Sequence, residues 1–193
     1  MDKITLATKL KELDDVPKKI IRLEQYSTDV STAVDFLLFA DSCGGIMEKA
    51  IADFGCGNGI LGVGASILGA RSVDMYDLDE RMISVSLENI KKLRLDNVVP
   101  YKKDFFDVNG HYDTIISNPP FGFQSTFRIE AFIEKLKDVS DSFFFLYKDN
   151  QKIRLLAGKN ALSVRELGDI ALPKSAKFHT REKLELPVCV VYR

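Results

Sequence analysis

Only three cysteines occur among 193 residues, and Cys43, Cys56 and Cys189 are too widely spaced for a zinc-binding pair. An odd count argues against a disulfide framework and leaves reduced thiols in or near a core, the usual habit of free cysteine. Excess charge is missing too: 27 Lys and Arg stand against 28 Asp and Glu, a net charge of -1. That excludes a uniformly basic nucleic-acid coat, though not a local basic patch. Long apolar runs are absent. The densest, Phe143 to Leu146 and Val188 to Val191, have strand length and fall far short of the roughly 18–20 residues of a membrane span. The amino terminus Met1-Asp2-Lys3-Ile4-Thr5 carries charge where a secretion signal is apolar. No internal repeat is evident. A cytoplasmic protein without membrane segments is therefore expected. The remaining composition, 46% apolar and 28% charged, is that of an ordinary globular chain.

Periodicity supplies the architecture. Leu6, Leu10 and Leu13 mark one apolar helical face over 2–15, and Val30, Ala33, Val34, Leu37 and Leu38 mark a second helix from Asp29 to the Gly44-Gly45 stop. From residue 50 short apolar runs alternate with helical patterns. Strands are expected at 50–54, 72–76, 97–101, 112–117, 142–147, 163–171 and 186–192. Helices are expected at 60–68, 79–94, 129–139 and 149–157. Such alternation implies a doubly wound, Rossmann-like α/β sheet, mostly parallel, with helices on both faces. No linker-like stretch divides residues 1–193, so one domain is expected, with 1–45 as an amino-terminal helical extension packed on the core.

Asp53-Phe54-Gly55-Cys56-Gly57-Asn58-Gly59 joins the first strand to a helix, at the end of the sheet where open α/β folds bind ligands. Gly57-x-Gly59-x-x-Gly62 also satisfies the dinucleotide fingerprint, a weak signal alone. Asp77 follows the second strand, placed to accept two ribose hydroxyls. Asp104 follows the third, placed to accept from an adenine amino group while Phe105 covers the ring. Acids at three successive strand ends describe a nucleoside pocket with no phosphate to cradle. The competing reading is that Asp53 and Asp77 merely cap helices.

Asn118-Pro119-Pro120-Phe121 closes the fourth strand on the same rim. Each proline fixes its own φ and restricts its predecessor, so Asn118 and the adjacent carbonyls are held rigidly. An exocyclic amine on a base is a poor nucleophile because its lone pair is delocalised. Acceptors aimed at its two N–H groups, the Asn118 amide oxygen and the Pro119 carbonyl, favour rehybridisation as it attacks. Phe121 is expected to offer a stacking face for the base. The competing reading is an ordinary Asn-Pro turn.

Together, the glycine motif, Asp77, Asp104 and Asn118-Pro119-Pro120-Phe121 resemble the class I S-adenosylmethionine-dependent methyltransferases that modify exocyclic amino groups. Leu23-Glu24-Gln25-Tyr26 with Thr28, and Leu172-Pro173 with Lys177-Phe178-His179, narrow the resemblance to the archaeal and eukaryotic family that makes N6-methyladenosine in small-subunit ribosomal RNA. The resemblance implies the class I methyltransferase sheet with an antiparallel late strand, S-adenosylmethionine as cofactor and RNA as partner. It also admits a small zinc-containing activator protein. Carried over by position, the cofactor contacts fall on Gln25, Thr28, Gly55, Asn58, Ile60, Asp77, Asp104 and Phe105, beside Asp53, Gly57 and Gly59 of the glycine motif. The catalytic motif falls on Asn118, Pro119, Pro120 and Phe121. No metal ligands are implied. The chain departs from the family at Ile129-Glu130, where relatives often carry an aspartate before Ala-Phe, and at Tyr147-Lys148, where His-Lys is expected.

Two other readings compete. A protein glutamine methyltransferase shares an Asn-Pro-Pro motif, because a primary amide poses the same chemical problem; Phe121 and the short amino-terminal region argue against it. A catalytically silent cofactor-binding scaffold is the other. Basic residues gather at Lys9, Lys11, Lys18, Lys19 and Arg22 and again at Lys174, Lys177, His179, Arg181 and Lys183. Each group reads equally as a solvated face or as an RNA-contacting rim.

Overall fold

Seven strands align in the order β3-β2-β1-β4-β5-β7-β6 in the computed structural model, which describes residues 1–17, 28–122, 126–173 and 183–193. These are β1 (Ala50–Phe54), β2 (Ser72–Asp77), β3 (Val98–Lys102), β4 (Tyr112–Ser117), β5 (Ser140–Lys148), β6 (Ser163–Pro173) and β7 (Lys183–Tyr192). The first five are mutually parallel. β7 runs antiparallel between β5 and β6. The helices are α1 (Lys3–Leu10), α2 (Val30–Ser42), α3 (Ile60–Ile67), α4 (Glu80–Leu93), α5 (Ile129–Val139) and α6 (Gln151–Lys159). The doubly wound, mostly parallel sheet with an antiparallel late strand is thus as expected.

Local chemistry places the helix starts. The Asp2 carboxylate accepts from the Ile4 and Thr5 N–H groups, Asp29 from Thr32, Asp79 from Arg81 and Asn150 from Ile153, each capping its helix. The sheet then divides the core in two. On one face, Ile51, Val73, Met75, Ile116, Phe144 and Leu146 pack against α1, α2, α3 and α4. On the other, Ala52, Phe54, Ile115, Phe143, Phe145 and Tyr147 pack against α5 and α6. Consecutive β5 residues therefore go to opposite faces, and both faces are covered. This explains the unbroken apolar run at 143–146.

The boundaries differ in instructive places. α1 ends at Leu10 and not near Asp15, because the Asp14 peptide is bonded to the Asn89 side chain of α4 and the chain leaves the helical path. β6 and β7 run on to Pro173 and from Lys183, since each completes the other's ladder, with a register shift between Glu166 and Gly168. Leu6 and Leu10 are fully buried with α2 and α3, so the amino-terminal helices belong to the main core. Among the described residues no helix is long and apolar enough to cross a membrane.

Leu10→Ala should accordingly destabilise the protein by about 2–5 kcal/mol, the usual range for emptying a closed core site. Urea unfolding is the measurement. A loss below about 1 kcal/mol would mean that α1 only rests on the surface.

Candidate functional site

The parallel strands β1 to β4 are neighbours, so their carboxyl ends open on one side of the sheet. The loops beyond those ends carry the glycine cluster, Asp77, Asp104 and Asn118. Register binds them together: Phe54 of β1 lies between Tyr76 of β2 and Ser117 of β4. The buried Ser117 hydroxyl donates to the Phe54 carbonyl at 2.6 Å, and the Lys103 N–H donates to the Asp77 carbonyl at 3.0 Å.

Gly55, Gly57 and Gly59 have φ of +73°, +56° and +89°, a region that L side chains rarely adopt. A Cβ added at Gly55 or Gly57 would meet nothing within 4 Å, so both backbones border open space. At Gly59 it would press on Met75 and Ser86 at 3.3 Å. Two glycines thus admit a ligand, and the third lets the loop pack on its own protein. Four of the loop's N–H groups are already engaged. Those of Gly55 and Cys56 donate to the Tyr76 carbonyl, that of Gly59 to the Cys56 carbonyl, and that of Gly57 to Asp77 Oδ2 at 3.0 Å. A pyrophosphate would find these four donors taken and would be repelled by the Asp77 carboxylate. The loop suits a nucleoside without phosphate.

Asp77 also accepts the Asp79 N–H on Oδ1, at 2.9 Å. Burial pushes its pKa up, opposed by these two N–H groups and reinforced by the Asp79 charge. Asp53 is corrected from a ligand contact to a structural group. It is fully buried, and its Oδ2 accepts the Gly62 N–H at 2.8 Å, capping α3 from beneath where Gly59 supplies no side chain. Its Oδ1 has no hydrogen-bond partner. Burial raises the Asp53 pKa to about 7, against the Gly62 bond and with help from Asp77. The helix-capping reading therefore describes Asp53. Asp77 instead holds the glycine loop.

Other expected contacts separate. The Ile60 side chain is buried in the core, so only its backbone borders the rim. The Asn58 side chain donates to the Asp14 carbonyl at 3.1 Å, toward the amino-terminal segment. Asp104 caps a short turn over Phe105–Asp107 by accepting the Phe106 N–H. Phe105 stacks on Phe54 at 5.4 Å and meets Phe132 edge-on, so its ring belongs partly to the core. Gln25 lies outside the described residues, as do Lys18, Lys19, Arg22, Lys174, Lys177, His179 and Arg181. Lys9 and Lys11 are exposed.

Asn118 is half-buried, and its Nδ2 donates to Thr28 Oγ1 at 2.8 Å, which leaves Oδ1 for a further partner. Pro119 is buried behind it and Pro120 is half-buried. Phe121 corrects an expectation. It is 4% exposed, its ring meets Tyr147 edge-on at 5.5 Å, and its carbonyl accepts the Tyr147 hydroxyl at 3.3 Å. The ring therefore anchors the motif in the second core and is not an open stacking face. Ser117 and Asn89 were not singled out from sequence, and Tyr147 only as a departure from the family pattern. Asn89 alone left a signal, as a polar residue in phase with the apolar stripe of α4.

A family model described as the methyltransferase small domain matches residues 28–140, which span the rim from Thr28 to Phe121. The chain is 30% identical to the uncharacterised protein MJ0284 of Methanocaldococcus jannaschii, over 89% of this chain and 84% of that one. It is 28% identical to the rRNA N(6)-adenosine-methyltransferase METTL5 of Danio rerio, over 93% and 92%. The crystal structure of PH1948 from Pyrococcus horikoshii superposes with a TM-score of 0.87 at 28% identity, covering 100% of this chain and 97% of that one.

The buried Asp53 carboxyl generates a pH prediction. Its folded pKa of about 7 exceeds the ordinary 3.8, so the folded state retains a proton that the unfolded state releases first. Stability is then lost as pH rises from 3.8 to about 7 and stays low above that. Asp53→Asn keeps an acceptor for Gly62 without the charge. Its melting temperature, measured in the ligand-free protein, should rise above the parent's progressively through that window; a pH-independent difference would contradict the assignment.

Proposed function

We propose, from the premise that the chain belongs to the methyltransferase small domain family, that it methylates the N6 amino group of an adenine in RNA, most naturally ribosomal RNA. One observation carries the reading. Asn118, fixed by Thr28 and by two prolines, stands at the end of β4 beside a glycine loop open to a ligand without phosphate. The name of the Danio rerio relative supports the substrate class.

The cofactor is S-adenosylmethionine, which supplies an electrophilic methyl group on a sulfonium when bound. The residues present fit it: Gly55 and Gly57 give close backbone approach, Asp77 offers acceptors for ribose hydroxyls, and Asp104 an acceptor for an adenine amine. On the substrate side, Asn118 Oδ1 and the Pro119 carbonyl accept the two N–H groups of the target amine. They orient its lone pair as it rehybridises, and the interaction strengthens as positive charge develops on nitrogen. The methylated amine then loses its proton readily, so no histidine base is required. The target adenine has to leave any helix to reach this rim. The same reading places the protein in the cytoplasm, where its free Cys43, Cys56 and Cys189 stay reduced. It also includes a small zinc-containing activator, tested by adding that protein to the assay.

Incubation with methyl-labelled cofactor and ribosomal RNA, followed by digestion to nucleosides, should place the label in N6-methyladenosine. Label in protein alone, or none, would reject the reading. Asp77→Ala should weaken cofactor binding by about 1.5–3 kcal/mol in calorimetry; unchanged affinity would remove Asp77 from the site. Asn118→Ala should slow single-turnover methylation about 100–1000-fold with cofactor and RNA saturating. A rate within about threefold of the parent would locate the chemistry elsewhere.

A further inference from the structure

We infer that Asn89 is a positioning residue for the cofactor site: with Asn58 it clamps the Asp14 peptide to the glycine loop, so the amino-terminal segment sets that loop's geometry. The inference rests on the reading of the loop as the cofactor cradle. The Asn89 carboxamide is fully buried on α4 and fully used. Its Oδ1 accepts the Asp14 N–H at 2.8 Å, and its Nδ2 donates to the Asp14 carbonyl at 3.0 Å and to the Asn58 carbonyl at 2.9 Å. Asn58 Nδ2 donates to the same Asp14 carbonyl at 3.1 Å. Two side-chain amides thus grip both backbone polar groups of one residue, 75 positions away from Asn89 in sequence.

Packing alone does not call for this arrangement. Asn89 shares its helix face with Met82, Ile83 and Ile90, where an apolar residue would fill the space without a desolvation penalty. Asp14 is exposed, and its peptide could bond to water. The dependence therefore runs from the buried amide to the segment, and through it to the loop. Asn58 sits between two left-handed glycines, Gly57 at φ +56° and Gly59 at φ +89°, so the turn has little stiffness of its own. Asp77 holds it from β2 through the Gly57 N–H, and Asn89 holds it from α4 through the Asn58 carbonyl. Lys92, one turn along α4, reaches the Glu12 carbonyl and the Asp14 carboxylate, but its ion pair is solvent-exposed and worth little. Lys92 touches the segment and not the loop.

The test separates cofactor affinity from turnover. Asn89→Leu removes all of these bonds at similar size and should raise the calorimetric Kd for S-adenosylhomocysteine about tenfold or more. With cofactor and RNA saturating, its kcat should fall less than about threefold, since Asn118 and Thr28 are untouched. Leu136→Ala, in the second core, controls for general destabilisation and should lower the melting temperature without raising Kd. Asp14→Pro deletes the N–H from the exposed side of the clamp and should raise Kd in the same direction even if Asn89→Leu fails to fold. The parent and Asp77→Asn are measured alongside. No binding by the parent would defeat the cofactor reading itself. Binding by the parent, lost in Asp77→Asn but unchanged in Asp14→Pro and in any folded Asn89→Leu, would overturn only the positioning role. So would an Asn89→Leu loss of affinity matched by Leu136→Ala.

Discussion

At the carboxyl end of β2 one carboxylate holds two loops at once. Asp77 takes the Gly57 N–H on one oxygen and the Asp79 N–H on the other. The first bond draws the glycine turn toward β2; the second sets the entry to α4, whose cap is Asp79. A half-buried carboxylate in a low-dielectric rim forms stronger bonds than a solvated one, and its desolvation makes those donors necessary. The shape of the cradle and the direction of α4 therefore share a single origin. Because α4 carries Asn89, the same carboxylate also bears on where the amino-terminal segment can dock.

Much of this architecture was legible in the sequence. Short β-type runs separated by amphipathic helices identified the strand elements, and β1, β4 and α5 begin and end where their apolar patterns do. The rim was legible because glycines and prolines have few structural alternatives: left-handed φ at 55, 57 and 59 needs glycine, and two prolines enforce the extended exit from β4. Side-chain direction was not legible. Asp53 and Asp77 both end strands next to the glycine cluster, yet one points beneath α3 and the other supports the loop. Phe121 follows the prolines as a surface aromatic might, but Gly122 at φ +74° turns the chain and Tyr147 closes over the ring. Such outcomes depend on residues distant in sequence, to which periodicity is blind.

The two halves of the rim are held by different forces. On the glycine-loop side the supports are hydrogen bonds: Asp77 accepts the Gly57 N–H, Asn89 donates to the Asn58 carbonyl, and Asp53 accepts the Gly62 N–H at the start of α3. Cys56 is the one side chain of the turn in the core. On the Asn118 side the supports are aromatic: Phe121 and Tyr147 lock the motif into the second core, which Phe132 shares. A loop built largely from glycine is ordered mainly through its peptide groups, whereas a proline-stiffened motif needs an anchor at its end. The departure at Tyr147 fits that division, since its hydroxyl reaches the Phe121 carbonyl and its ring covers the Phe121 edge.

Charge gives the rim its selectivity. Burial raises the proton affinity of both Asp53 and Asp77, and the Asp77 charge adds to the effect at Asp53. An anion placed against the glycine loop would meet the Asp77 carboxylate where water screens poorly, while the N–H groups of Gly55, Cys56, Gly57 and Gly59 are already bonded. A ligand with hydroxyls and a positive centre would meet the opposite situation: its hydroxyls would have Asp77 as an acceptor, and its positive centre would be attracted to the same carboxylate. S-adenosylmethionine has a ribose, a sulfonium and no phosphate, whereas a nicotinamide dinucleotide would bring a pyrophosphate to a loop whose Gly57 N–H is already taken. The fingerprint Gly57-x-Gly59-x-x-Gly62 and an acid after the second strand are shared by both classes of site, and the bond from the Gly57 N–H to Asp77 favours the ligand without phosphate.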